Sequence, residues 1–166
     1  MKKLTTEILA SFAIQGSNKE LPAGFSLADI RRAGLSQEEI DAWEKEWDSV
    51  PILVKPYTAL LKDIKAKKRV HNQSTFGPDH DAETNLCGTP MWTAGHLVNM
   101  AGAVGYELKK KYGWEVAATI IHRKTHPDYP LQNFGGIPQS WAMAYIETMA
   151  AREKKEEKEN GKSTLS

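Results

Sequence analysis

The run from Cys87 to Tyr112 constrains the fold more than any other part of the chain. Until its closing lysines it is apolar on nearly every side of a helix, and a helix of that kind needs neighbours all around it. Thr89 is placed to serve as N-cap, and Pro90 stands where a first helical residue has no N–H to lose. Lys109, Lys110 and Lys111 suit the negative end of the helix dipole, and Gly113 suits the stop. At the helical repeat, Met91, Ala94, Gly95, Val98, Ala101, Gly102 and Gly105 fall on one face. A glycine inside a helix costs about 1 kcal/mol relative to alanine, so a stripe of them predicts another backbone packed unusually close. The expectation is an enclosed central helix over 89–112.

The remaining punctuation is also helical. Leu4, Ile8, Leu9 and Phe12 recur at helical spacing before Gly16, and Ser26 caps a short segment that Gly34 ends. Ser36-Gln37-Glu38-Glu39 reads as a capping box ahead of Ile40, Trp43 and Trp47, which makes a helical hairpin with the segment before it. Val50 to Pro56 is the one β-like run, and its two prolines make it a buried extended connector. Tyr57, Leu60, Leu61 and Ile64 mark the next helix, followed by a long loop over 70–86 of the sort that often holds a ligand. Trp114 to Ile121 is read as helix because no convincing strand exists to pair with it. Pro138 opens a last helix with Trp141, Ala144, Tyr145, Thr148 and Met149 inward. The fold class is therefore all-α: a compact domain of about six or seven helices. Residues 1–50 form an N-terminal helical element, 51–151 the core domain, and 152–166 a charged, disordered tail.

Charge and cysteine content narrow the function. The net charge is +1 over 166 residues, distributed as −3 over 1–50, +5 over 51–125 and −1 over 126–166. The basic excess sits in Lys62, Lys65, Lys67, Lys68, Arg69 and the triplet at 109–111, which reads as solvated helix ends, so nucleic acid is not expected as a partner. The hairpin resembles a DNA-binding helix-turn-helix in outline, but Glu38, Glu39, Asp41, Glu44, Glu46 and Asp48 would face phosphates with the wrong sign. No apolar run reaches membrane-spanning length, and the Lys2-Lys3 start meets Glu7 too early for a signal peptide. The expected location is cytoplasmic. A single cysteine excludes an internal disulfide.

Four residues carry the candidate chemistry: Cys87, Thr89, His80 and His122. Cys87 precedes a helix start, where backbone amides and the dipole favour an anion and lower a thiol pKa. His96 is excluded as its base: seven residues beyond Thr89, it would lie roughly 10 Å up a continuous helix. A partner would have to come from His80, His122 or His126. His122 and His126 have the i, i+4 spacing of a metal pair, but Pro127 pushes the second off helical geometry and no zinc-protease glutamate follows the first. No catalytic set, metal or cofactor is therefore assigned.

The segment Cys87-Gly88-Thr89-Pro90-Met91-Trp92-Thr93-Ala94-Gly95-His96 resembles a motif, roughly Cys-Gly-Thr-x-x-Cys-x-Ala-Gly-Trp/His, of small bacterial and phage-associated proteins of unknown function, some attached to pentapeptide-repeat arrays. The resemblance spans about Leu60 to Met149 and implies a helical module. Trp92 stands where the motif has its second cysteine, which removes any role needing a thiol pair. The function expected from all this is a non-enzymatic cytosolic binding or interaction module, with a protein partner or a second copy of the chain as its counterpart. The alternative is a small thiol-dependent enzyme, or an anion site, built on Cys87 and a loop histidine.

Overall fold

A computed structural model describes residues 37–77, 90–130 and 132–163. Among them the chain is mostly helical: α1 (Gln37–Ser49), α2 (Pro56–Lys65), α3 (Thr93–Met100), α4 (Gly102–Tyr112), α5 (Trp114–Thr125) and α6 (Gln139–Ser163). A short 3₁₀ turn spans Phe134–Gly136, and two short strands, β1 (Val70–His71) and β2 (Pro90–Met91), pair in parallel with His71 opposite Met91. The expected all-α domain is observed.

The central run differs in detail from its expectation. It is two helices. Pro90 lies in β2, so the helix starts at Thr93, not after Thr89. Ala101–Gly102 then turns the chain, with Gly102 at φ +62°, a left-handed conformation that glycine adopts freely. Gly102 is therefore a turn residue, and a Cβ built on it would meet nothing within 4 Å. The other two glycines do what the stripe predicts. A Cβ on Gly95 would lie 2.3 Å from the Phe76 carbonyl oxygen, and one on Gly105 would lie 2.1 Å from that of Val98. Phe76 belongs to the segment after β1, whereas Val98 is in α3, over which α4 folds back. Met91 through Val98 are all buried, but Ala103, Glu107 and Lys110 of α4 face water. The middle of the domain is shared with α5, whose residues Val116 through Arg123 are buried on every side.

Around α5 the packing is layered. α3 and α4 lie against it, and α2 lies against α6. Trp47 of α1 packs on the core, with Lys124 of α5 over its ring at 5.0 Å. The uneven charge along the chain is partly used at this contact. Glu46 of acidic α1 accepts from the Tyr112 hydroxyl (2.7 Å) and pairs with Lys111 of the basic triplet.

Three expectations need correction. The Val50–Pro56 connector is extended, but Ile52 and Val54 are exposed while Pro51 and Leu53 beside them are half-buried, so beyond the buried Val50 it lies on the surface with alternate side chains inward. Alternation without a sheet partner leaves one row in water. The last helix turns inward a face shifted from the expected one: Met149 is buried and Tyr145 packs on the core as expected, but Ala142, Ile146, Ala150 and Glu153 are buried in place of Trp141, Ala144 and Thr148, which are exposed. Finally, the charged run 152–163 is not a disordered tail but the continuation of α6, and Glu153 within it is buried. The first helix of the expected hairpin lies outside the described residues.

Candidate functional site

Buried polar side chains mark where a small helical domain departs from simple packing, since each costs free energy unless bonded. Here they form two clusters, each containing two histidines.

The first joins α2, α5 and α6. Pro56 opens α2 with the preceding Lys55 in left-handed geometry (φ 47°) and without a side-chain cap. The unpaired first-turn N–H groups are met from outside: Glu153 of α6 accepts from the backbone N–H of Tyr57 (3.1 Å) and of Thr58 (2.8 Å). A carboxylate there is favoured by the helix dipole as well as by the two bonds. The same carboxylate accepts from His126 Nε2 at 3.1 Å. Burial would raise the Glu153 pKa, but the bonds from His126, Thr58 and Tyr57 outweigh it and the net shift is downward. One turn earlier on α5, His122 is 1% exposed. Its Nε2 meets the Pro130 carbonyl (3.3 Å), which can only accept, so Nε2 carries the proton. Nδ1 then accepts from the Tyr57 hydroxyl (2.8 Å), whose oxygen accepts in turn from Tyr145 (3.3 Å). Burial first, then His126, hold the His122 pKa down at about 3, which keeps the ring neutral as this pattern requires. Burial likewise pushes the Tyr57 hydroxyl well above its ordinary value. Every polar atom of the Tyr57–His122 contact has its partner.

The second cluster lies where the β1–β2 ladder meets α3. The ladder is pinned on both sides: Asn72 N–H donates to Met91 O (2.9 Å), and Trp92 N–H donates to Thr75 O (2.7 Å). Gln73 fastens the segment further. Its Oε1 accepts from the Thr93 N–H (3.3 Å) and Oγ1 (3.2 Å), capping α3, while its Nε2 donates to Phe134 O (2.8 Å). Within this frame His71 of β1 and His96 in the first turn of α3 bring their ring centroids to 5.7 Å, with the planes 29° apart. His96 is fully buried. Neither nitrogen of either ring has a hydrogen-bond partner, and the Trp92 indole N–H has none. These are five of the six buried side-chain polar atoms without a partner among the described residues; the sixth is the Tyr129 hydroxyl. The carbonyls of Val70 and Met91 lie near enough to His96 to favour a proton on it, without the geometry of a hydrogen bond. Burial outweighs them, with His71 and Arg69 acting the same way, and takes the His96 pKa down to about 3. Burial lowers that of His71 too. Arg69 is itself engaged, by Asp63 (3.2 Å) and by Asn99 Oδ1 (2.8 Å).

Of the residues expected to carry chemistry, Cys87, Thr89 and His80 lie outside the described residues. His122 is described, and both its nitrogens are committed to Tyr57 and Pro130, so it has no lone pair to give a ligand and the expectation of it as a ligand-binding residue fails. Among the described residues no group of three or more His, Cys, Asp and Glu could hold a metal, and no helix is long and apolar enough to cross a membrane. The expectation from sequence placed His71 only as one residue of the loop over 70–86 that could hold a ligand, and set His96 aside. Its ground for that, a continuous helix from Thr89, fails because α3 begins at Thr93. The usable signal was His96 itself, a titratable side chain in the middle of an otherwise apolar run. Comparison with protein-family models, with curated proteins and with solved structures finds no match.

Proposed function

We propose that this chain is a non-enzymatic cytoplasmic binding module whose ligand is recognised at the His71–His96 pair. The observation that carries the reading is the concentration of unpartnered nitrogens there. A buried polar group left unbonded costs about 1–3 kcal/mol, and this domain bears five such atoms around one short ladder while bonding those around His122. Groups kept unpaired at such a cost are groups that a bound molecule would satisfy. The frame supports the same reading, because Gln73 and the Thr75–Trp92 bond hold the two rings on fixed backbone, as a preorganised site requires.

The test is thermal denaturation of the full chain against a panel of divalent metal chlorides, small carboxylates and phosphates. A ligand that binds the native state at a hundred times its Kd adds about 2.7 kcal/mol of stability. The expected result is that at least one compound raises Tm, that His96→Leu abolishes the rise, and that Tyr57→Phe in the other cluster leaves it intact. A panel that raises nothing, or a rise that survives in His96→Leu, overturns the proposal.

A further inference from the structure

We propose that the outward face of α6 is a self-association surface, on which a second copy of this chain docks its own α6 antiparallel about a two-fold axis. The buried face of α6, formed by Ala142, Ile146, Met149, Ala150 and Glu153, seats against the rest of the domain. At about 100° per residue, Trp141, Ala144, Thr148, Ala151, Lys155 and Lys158 fall on the opposite side, and all six are exposed. They recur by three and four residues, the spacing of the seam along which two helices pack. Trp141 is 71% exposed, and an indole is among the side chains that most often anchor an interface. Ala144 and Ala151 stand either side of Thr148, whose hydroxyl turns back to the Ala144 carbonyl (2.8 Å). The middle of the stripe therefore presents only small groups and admits a second backbone closely.

A second copy is the occupant because the stripe complements itself when reversed. One end carries an indole and the other end carries ammonium groups. With Thr148 of one copy in the layer of Ala151 of the other, Trp141 falls in the layer of the second copy's Lys158 and within a turn of its Lys155. Cation and aromatic face attract there, and the two-fold axis repeats the contact at the other end. The flanks agree: Glu147 of each copy falls beside Lys154 of the other, and both residues are exposed. Glu147 is also 3.5 Å from Lys65, and Lys155 is 3.8 Å from Glu159, but these join exposed side chains and bind weakly. A parallel pair is disfavoured, because it sets Lys155 on Lys155 and Lys158 on Lys158 along the seam. One helix from each copy, packed over about five turns, lies at the low end of specific interfaces, so a weak, concentration-dependent dimer is expected. The surface uses neither histidine pair, and its test is independent of theirs.

The experiment is sedimentation velocity of the full chain from micromolar to millimolar concentration at neutral pH. A monomer–dimer equilibrium is expected. Trp141→Glu weakens it about tenfold or more and, at an exposed position, leaves the urea midpoint of the dilute chain nearly unchanged. Glu147→Lys and Lys154→Glu each weaken it several-fold. The double variant carrying both restores the wild-type dissociation constant, because the swap exchanges the two signs across the antiparallel pair. A chain that stays monomeric throughout overturns the second copy as occupant and leaves the face to a different protein. A dimer indifferent to Trp141→Glu overturns this surface, and a loss that the double variant does not restore overturns the antiparallel pairing.

Discussion

Two histidine pairs lie inside this domain and are treated in opposite ways. His122 on α5 and His126 just past its end are knitted by Tyr57, Tyr145, Pro130 and Glu153 into a chain in which each donor has its acceptor. His71 and His96, at the β1–β2 ladder, have no partner for any of their four ring nitrogens. Residue type and low exposure are therefore poor guides to role. What separates a structural histidine from a candidate ligand is the state of its nitrogens. In the first cluster, taking a side chain away breaks the fold; in the second, it removes a burden the fold carries.

The largest effect expected from that contrast is at Glu153. Glu153→Ala leaves the first-turn N–H groups of α2 and the His126 ring without their acceptor, at a cost of about 3–5 kcal/mol by urea unfolding.

Acid comes next, and here the two clusters act alike. His96 and His122 have folded pKa values near 3 against an ordinary 6.5. Below pH 6.5 the unfolded chain takes up protons that the folded chain refuses until about pH 3, so stability falls with falling pH across that window. At about 1.4 kcal/mol per pH unit for each ring, the loss at pH 5 is about 4 kcal/mol relative to pH 8. Glu153, with its pKa lowered, adds stability that is present above the range of an unfolded carboxyl and is lost as pH falls through its folded value, which steepens the decline at the acid end. Replacing either histidine by leucine should remove its share of the pH slope, as read from urea midpoints between pH 5 and 8.

A smaller and more local effect sharpens the contrast from the other side. Gly95→Ala drives a methyl group against the Phe76 carbonyl and so pushes the segment after β1 off α3. The expected cost is about 1–3 kcal/mol by urea unfolding, with the Tyr57–His122 contact unaltered. Tyr57→Phe should be the mildest, at about 1 kcal/mol for a hydroxyl removed from between His122 and Tyr145.

The parts of this molecule that were legible in its sequence are those written in local chemistry. Pro56 marks the start of α2 and Gly113 the end of α4, and the absence of any pairing strand made Trp114–Ile121 a helix, which the structure extends to Thr125. Gly95 and Gly105 announced close backbone contacts that are present. The glycine at 102 did not show that it turns the chain, because a turn glycine and a packing glycine look alike in a run of small residues. The ladder was invisible for a different reason. Two-residue strands carry no periodicity, and the pairing of Val70–His71 with Pro90–Met91 is set by tertiary contacts. With the ladder hidden, His71 had no visible relation to His96. The inward face of α6 was only partly legible: Tyr145 and Met149 pack inward as expected, but Trp141, Ala144 and Thr148 are exposed while Ala142, Ile146 and Ala150 are buried.

The most direct test of the contrast is a comparison of His96→Leu with His122→Leu by urea unfolding at pH 8 without added metal. Removing a buried polar side chain that has no partners should be neutral or stabilising, whereas removing His122 should cost about 2–3 kcal/mol by stranding the Tyr57 hydroxyl and the Pro130 carbonyl. Equal losses in the two variants would show that His96 is as fully bonded as His122, and would contradict the assignment of the His71–His96 pair as the binding site.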